Sequence, residues 1–272
     1  MAGDLRSEGI EYSLLGRFGR PLQYFDEIDS TNRVALEWAA EGAPEGALVV
    51  ADHQTAGRGR KARDWTSQPA KLLQFSLVLR PPVSVGRLGL LPTALGVACA
   101  QGIEEVTGLR PALKWPNDVT LGGRKVAGIL VETRVTASKL DAAIAGLGIN
   151  VGWSTDELPE DLESTATSLA IELERSGKEN PSVSRTILLA RVIAAFEQLY
   201  PMVVEEERKP GLVELASARS AILGQEVIVK WPEGNTVQGR ATRLLTSGAL
   251  EVVDSRGTST VYAGEIEQIR SA

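Results

Sequence analysis

Two strongly apolar runs, Ala47-Leu48-Val49-Val50-Ala51 and Leu72 to Arg80, bracket the stretch Gly57-Arg58-Gly59-Arg60-Lys61-Ala62-Arg63-Asp64-Trp65, which packs four cations into nine residues and closes on an aromatic. Runs of this length and composition are strands, so the basic loop joins two strands of one sheet. Glycines let a backbone approach a ligand and offer it N–H groups, and arginines add planar forks that match phosphate or carboxylate oxygens. Such a loop expects a polyanion. Alone it reads equally well as a solvated basic turn, because short motifs are weak evidence.

It is not alone. Further on come Lys114-Trp115-Pro116-Asn117-Asp118, then Gly122-Gly123-Arg124-Lys125-Val126-Ala127-Gly128-Ile129-Leu130-Val131-Glu132, then Gly146-Leu147-Gly148-Ile149-Asn150. Ahead of the loop, Pro21 to Asp29 reads as a strand and Ser30-Thr31-Asn32 starts a helix continued by Val34, Leu36, Trp38 and Ala39. Ser, Thr and Asn cap helices, and the same geometry offers free N–H groups and hydroxyls to a ligand. Pro92 to Thr107 is a core helix, Leu113-Lys114-Trp115 and Val119-Thr120-Leu121 pair as strands, Gly122-Gly123 turns into Lys125 to Glu132, and Leu140 to Val151 adds a strand. The expected fold class is α+β, a mixed sheet flanked by helices.

Helices are expected over Ser164 to Ser176 and Ser184 to Tyr200, the second with Ile187, Leu188, Ala190, Ile193, Ala194, Phe196 and Leu199 on one apolar stripe. Trp153 to Ser164, with five acidic residues and few apolar ones, reads as a mobile loop and a candidate lid. After Leu223-Gly224, short strands over Glu226 to Trp231, Thr236 to Leu245, Ala249 to Val253 and Thr258 to Tyr262 make a small β-barrel, with turns at Pro232-Glu233-Gly234-Asn235, Ser247-Gly248 and Asp254-Ser255-Arg256-Gly257. The expected division is a catalytic domain over residues 1–217 and a barrel over residues 218–272.

Composition removes several functions. A net charge of −6 argues against general nucleic-acid affinity, which needs a basic surface rather than one basic loop. One cysteine, Cys99 in an apolar run, excludes an intramolecular disulfide and reads as a buried thiol; with a single histidine, His53, it also excludes the usual zinc constellations. The first 20 residues lack the pattern of a signal peptide, and no window approaches about 18 consecutive apolar residues, so a cytoplasmic protein with no membrane contact is expected.

In this order and spacing, the motifs Ser-Thr-Asn, Gln-x-x-Gly-Arg-Gly-Arg, Lys-Trp-Pro-Asn-Asp, Gly-Arg-Lys-x-x-Gly-Ile-Leu-Val-Glu and Gly-x-Gly-Ile-Asn, followed by a terminal barrel, closely resemble the biotin protein ligases over residues 24 to 270. The resemblance implies a class II synthetase-like catalytic core, an SH3-like C-terminal barrel, and a two-step acyl transfer. Biotin attacks the α-phosphate of ATP, giving biotinyl-adenylate and pyrophosphate; a lysine of the biotin carboxyl carrier protein or domain of a carboxylase then attacks the mixed anhydride.

Carried over position by position, the resemblance puts Ser30 and Gln54 on the ureido ring, with Thr31 and Asn32 near the biotin tail. Arg58 and Arg60, with the Gly57 and Gly59 amides, would fold over biotin and phosphate, where one cation in a desolvated site is worth several kcal/mol. Arg63 would reach the leaving pyrophosphate, and Trp65 would wall the nucleotide, unless it is simply a core aromatic. Lys125 would bridge the biotin carboxyl and the α-phosphate; Lys114, Asn117 and Asp118 would line the nucleotide side. Asp118 would hold Mg²⁺ or accept a proton from the attacking lysine, and the sequence does not choose. Gly128 would leave room for the biotin tail, its alternative being a strand glycine at a bulge. Asn150 would recognise adenine. Thr167-Ser168 would touch the nucleotide or simply start a helix. Glu132, His53 and Asp52 are read as structural.

Bifunctional members of this family carry a winged helix-turn-helix ahead of the Ser-Thr-Asn site, whereas 29 residues precede Ser30 here, so a ligase without repressor function is expected. Two rivals stand beside it: a lipoate or octanoate ligase of the same superfamily, against which Gln54 and the arginines argue, and a non-enzymatic biotin-dependent regulator. Oligomeric state is open, a homodimer included. The basic loop is the candidate for ordering on ligand binding.

Overall fold

The computed structural model describes residues 4–178, 182–231 and 236–268. A seven-stranded mixed sheet carries the first part of the chain. Its strands are β1 (Leu22–Ile28), β2 (Leu48–Gln54), β3 (Leu72–Leu79), β4 (Ala112–Lys114), β5 (Asp118–Leu121), β6 (Arg124–Thr136) and β7 (Lys139–Asn150), ordered β1-β2-β3-β7-β6-β5-β4. Only β1 and β2 run parallel; the other neighbours are antiparallel. The basic loop joins β2 to β3, as expected.

Strand alternation explains how one sheet serves two purposes. On β3, Leu73, Phe75, Leu77 and Leu79 join the main core, together with Ala143, Ala145, Leu147 and Ile149 of β7. Helices α3 (Leu91–Thr107) and α5 (Arg185–Val204) cover that face, joined by α1 (Ser7–Ser13) and α6 (Lys209–Ser217). The opposite face carries Val78 and Ile144, packed on Ala35 and Ala39 of α2 (Thr31–Ala40). The intervening positions on that second face are not apolar. They are Gln74 and Ser76 on β3, Gly146 and Gly148 on β7, and Gly128 on β6, and the register sets Gln74 beside Gly148 beside Gly128, with Ser76 beside Gly146. A wholly buried strand that carries two polar side chains on one face must give them partners there.

The second unit is a five-stranded antiparallel sheet of β8 (Glu226–Lys230), β9 (Thr236–Leu244), β10 (Leu250–Asp254), β11 (Gly257–Val261) and β12 (Glu265–Gln268), ordered β11-β10-β9-β8-β12. Its core of Ile222, Val227, Val229, Ala241, Leu250, Val252 and Val261 also takes in Trp115 from the first unit. Trp115 Nε1 donates to Gly248 O at 2.9 Å, and Leu113 N donates to Arg219 O at 2.7 Å, so the small sheet is fastened to the large one by packing and by backbone.

Several expectations are corrected. The helix expected from Ser164 begins at Leu169, in α4 (Leu169–Arg175), because Thr165 and Thr167 spend their backbone groups on Lys125. Pro201 does not end α5, which runs on to Val204, and Ile187, placed on its apolar stripe, is half exposed. α1, α6 and β12 are additional to the sequence reading. The acidic segment 153–164 is pinned rather than fully solvated, since Trp153 and Leu158 pack with Leu72 and Ile171. The turn at Pro232-Glu233-Gly234-Asn235 lies outside the described residues. α5 is the one helix among them long and apolar enough to cross a membrane, but Leu188, Leu189, Val192 and Phe196 are fully buried against the sheet and α3, which is what a core helix requires.

Candidate active site

A cleft of about 470 Å³, open mouth included, lies over the polar face of β3, β7 and β6, against the start of α2 and beneath the basic loop. Ser30, Thr31, Asn32, Gln54, Arg58, Gly59, Arg60, Trp65, Asn117, Lys125 and Gly128 all line it, so most of the expected site residues come together.

Ser30 opens α2 from an extended conformation, yet its side chain caps nothing and makes no hydrogen bond among the described residues. The capping alternative for Ser30 thus has no hydrogen bond behind it, and the residue lines the cleft. Beneath it runs a continuous polar relay. Gln74 Nε2 donates to Ser67 Oγ at 2.8 Å, and Gln54 Nε2 donates to Gln74 Oε1 at 2.7 Å. Gln54 Oε1 accepts from Thr31 N at 2.7 Å and Thr31 Oγ1 at 3.0 Å. Ser76 Oγ lies 2.8 Å from Thr31 Oγ1 and 2.6 Å from Asn32 Oδ1, and Asn32 Nδ2 donates to Glu132 Oε2 at 2.8 Å. Arg58 Nη2 reaches the same Glu132 oxygen at 3.3 Å. Buried networks with every member satisfied hold side chains in one arrangement, and this one ends on a cation of the basic loop. Gln74, Ser76 and Glu132 were not among the expected site residues. The signal for the first two was legible as polar residues alternating inside an apolar strand; Glu132, read as structural, stands in the relay.

The floor is glycine for a steric reason. A Cβ at Gly148 would sit 2.7 Å from Trp65 Cε2, one at Gly128 would sit 3.0 Å from both Trp65 Cζ3 and Lys125 Nζ, and one at Gly146 would overlap the Asn32 amide. Trp65 therefore packs across the floor, half-buried, its Nε1 without a hydrogen-bond partner among the described residues. It is neither a pure core aromatic nor remote from the cleft.

Positive charge gathers on one side. Lys125 Nζ is 2.7 Å from Asp118 Oδ1 and 5.2 Å from the Trp65 ring centre, close enough for a cation–π contact. Arg60 Nη1 donates to Asn117 Oδ1 at 3.0 Å, and Asn117 is itself fixed by donation from Nδ2 to Ile129 O. Burial pulls the Arg60 guanidinium below its ordinary pKa, with Asp118 and Glu265 opposing the shift.

The remaining expected residues sit apart. The loop closes on itself, Gly59 N donating to Arg63 O and Trp65 N to Gly57 O, so these backbone groups are engaged within the loop. Arg63 points to Glu265. Lys114 lines a separate, mostly apolar hollow between α3, α6 and the second sheet, shared at its rim with Asn117 and Asp118. Asn150 Nδ2 donates to Thr167 O at 3.0 Å, Thr167 Oγ1 donates to Glu172 Oε1, and Ser168 caps α4 by accepting from Ile171 N. Asp52 pairs with Arg185 and His53 with Glu27, both structural contacts. Cys99 is buried, and burial pushes its thiol pKa far up. For a metal, no group of three or more His, Cys, Asp or Glu that could hold one occurs among the described residues, and the carboxylate expected to serve, Asp118, borders the neighbouring hollow and is already countered by Lys125. That donor set fits only an ion held mainly by phosphates and water.

The description "Biotin/lipoate A/B protein ligase family" belongs to a family model that matches residues 24–150, the span from β1 to the end of β7. The bifunctional ligase/repressor BirA of Bacillus spizizenii is 34% identical over 267 residues, covering 97% of this chain and 79% of that protein. The chain belongs to the biotin protein ligase family. A biotin–[acetyl-CoA-carboxylase] ligase of Mycobacterium tuberculosis is 33% identical over 258 residues, with 92% and 90% of the two chains covered. Among solved structures, the biotin protein ligase of Aquifex aeolicus in complex with biotin and ATP superposes with a TM-score of 0.73 at 31% identity, over 93% of this chain and all of that one. The protein is thus a ligase enzyme with the biotin protein ligase catalytic core, and the cleft lies on the part of the chain that the family shares.

Proposed function

We propose that this ligase joins biotin to ATP in the cleft over Gly128 and Gly148 and passes it to a lysine of a biotin carboxyl carrier protein or domain. The observation that carries the proposal is the division of the cleft: a neutral polar end built from Ser30, Thr31, Asn32 and Gln54, next to a cationic end built from Arg58, Arg60 and Lys125. A neutral ureido head matches the first, and a carboxylate meeting a phosphate matches the second.

The chemistry asks little of the protein beyond placement and charge. A biotin carboxylate oxygen bonds to the α-phosphorus as the bond to pyrophosphate breaks. Lys125, Arg58 and Arg60 stand where the negative charge of both partners meets, and Trp65 keeps water off the acyl phosphate. An acceptor amine then attacks the acyl carbon, AMP leaves, and the amine loses a proton. Asp118, which borders the neighbouring hollow and pairs with Lys125, would take this proton or lend one oxygen to a Mg²⁺ that offsets phosphate charge.

Asn150 and Thr167-Ser168 are assigned to the nucleotide side, and residues 218–272, as a separate domain, to closing the cleft over its ligands. We assign no repressor role to these 272 residues, given a net charge of −6 that argues against general nucleic-acid affinity. The work is assigned to the cytoplasm, away from membranes. Biotin-dependent pyrophosphate exchange, followed by transfer of labelled biotin to a carrier domain, tests the main proposal; exchange supported equally by lipoate would favour the sister activity instead. Specific DNA binding at nanomolar level and physiological salt would remove the non-repressor assignment.

A further inference from the structure

Glu172 of α4 is nearly buried, and one of its oxygens, Oε1, takes three donors: Arg124 Nη2 at 2.7 Å, Thr167 Oγ1 at 2.5 Å and Arg175 Nη1 at 3.0 Å. Two of these donors belong to residues joined to Lys125, one by the chain and one by a backbone hydrogen bond. Arg124 precedes it in the chain. Thr167 lies across from it, where Thr167 N donates to Lys125 O at 2.9 Å and Lys125 N donates to Thr165 O at 2.8 Å. Thr167 O in turn accepts from Asn150 Nδ2. The helix has no need of this arrangement, since Ser168 already caps it. A charged group that collects two cations and a hydroxyl at such short range costs desolvation, and charge-assisted bonds of this kind are strong enough to fix the geometry of what they join.

We infer that Glu172 is a positioning residue for the adenylation step: by tying Arg124 to Thr167 it holds the Lys125 peptide from both sides. The Lys125 ammonium, at Asp118, and the segment Thr165–Thr167 with Asn150 are then kept as one unit. This rests on the role proposed for Lys125. Glu172 itself lines no part of the cleft, so its loss leaves the neutral pocket of Ser30, Thr31, Asn32 and Gln54 untouched while the attacking geometry at Lys125 slackens.

The test uses the full chain and measures biotin-dependent pyrophosphate exchange against both substrates, biotin Kd by calorimetry, and Tm. For Glu172→Ala, kcat for exchange falls by about 100-fold, the size of a misplacement near 1 Å, with biotin Kd and the circular dichroism spectrum unchanged. Glu172→Gln, which keeps the shape and removes the charge, falls by less. Arg124→Ala loses as much as Glu172→Ala, and the double variant loses no more than either, because both act through one contact. A merely structural role would move Tm and biotin Kd together and leave kcat alone. Wild-type exchange with unchanged kcat in Glu172→Gln and Glu172→Ala overturns the inference, and so do additive losses in the double variant. If Glu172→Ala does not fold, the Gln and Arg124 variants decide. Absence of exchange in the wild type would instead remove the ligase mechanism, and this inference with it.

Discussion

Arg63 Nη2, in the glycine–arginine loop, lies 2.5 Å from Oε1 of Glu265, the first residue of the last strand. Lys61 Nζ is 3.3 Å from the same oxygen, and Arg60 Nη1 donates to Gly264 O at 3.5 Å. A carboxylate of the second sheet thus holds two of the loop's four cations, and a phosphate entering the cleft competes with it. Exposed pairs contribute about 0–1 kcal/mol each, so the latch is one that a ligand can open. Glu265→Gln therefore makes the loop open more often, and trypsin cuts it at Lys61 and Arg63 up to about fivefold faster in the native protein. An unchanged cleavage rate would mean that the ion pair does not restrain the loop.

The acidic groups carry a signed dependence on pH. Burial would raise the Glu265 carboxyl, but its hydrogen bonds to Arg63 and Lys61 outweigh burial and hold it below the ordinary 4.5. Glu157, bonded by Lys71 and by the Ser154 amide, is held down to about 2. A carboxyl lowered in the folded state stabilises it above its unfolded value and loses that contribution as pH falls through the folded one. Glu157→Gln should lower Tm at pH 6, and the gap to wild type should close between pH 4.5 and about pH 2. A gap that widens on acidification would reverse the assigned sign.

Glycine at the cleft floor is a matter of space. Gly146→Ala must displace the Asn32 amide and break the relay to Ser76 and Glu132, while Gly148→Ala must move Trp65. Overpacking costs about 1–3 kcal/mol, which in binding is roughly five- to 150-fold. Calorimetry with biotin should register that loss for both variants and none for Gly86→Ala, whose added methyl meets nothing. Wild-type affinity in Gly146→Ala would remove the relay from ligand binding.

Outside the cleft lining, Arg185 is 2% exposed, and its charge is met by Asp4 and Asp52. Removing one partner of a buried charge typically costs about 3–5 kcal/mol, and Asp4 remains to share the load. Asp52→Ala should lower unfolding free energy by about 2–3 kcal/mol in denaturant titration, with exchange kcat unchanged. A loss of kcat at full stability would place Asp52 in the mechanism.

How much of this could be read in the sequence depends on range. The strands from Leu22 to Asn150 and the loop between two of them were legible because apolar runs and glycine pairs act locally; both Gly122 and Gly123 take the positive φ that their turn requires. Ser30, Gln54, Arg58, Lys125 and Gly128 sit inside short motifs whose order resembles a known family, and that resemblance, not local physics, pointed to the cleft they line. Gln74 and Ser76 stand out as polar residues inside an apolar strand, but their place in the site depends on the face of β3 they share with Gly146 and Gly148, a relation set by register between distant strands. The start of α4 was misplaced because Thr165 and Thr167 bond to Lys125, about 40 residues earlier, and tertiary bonds of that kind override local helix preference. Nothing local in Arg63 or Glu265 announced their pairing across the two sheets.

In the proposed reaction, Lys125 and Arg58 carry adenylation of biotin. Biotin-dependent exchange of labelled pyrophosphate into ATP, measured for the wild type, Lys125→Ala and Arg58→Ala, tests it most directly. The wild type should exchange, and each variant should fall by at least about 100-fold, the size of losing one preorganised charge at a reacting phosphate. Exchange that persists in both variants, or that needs no biotin in the wild type, would contradict it.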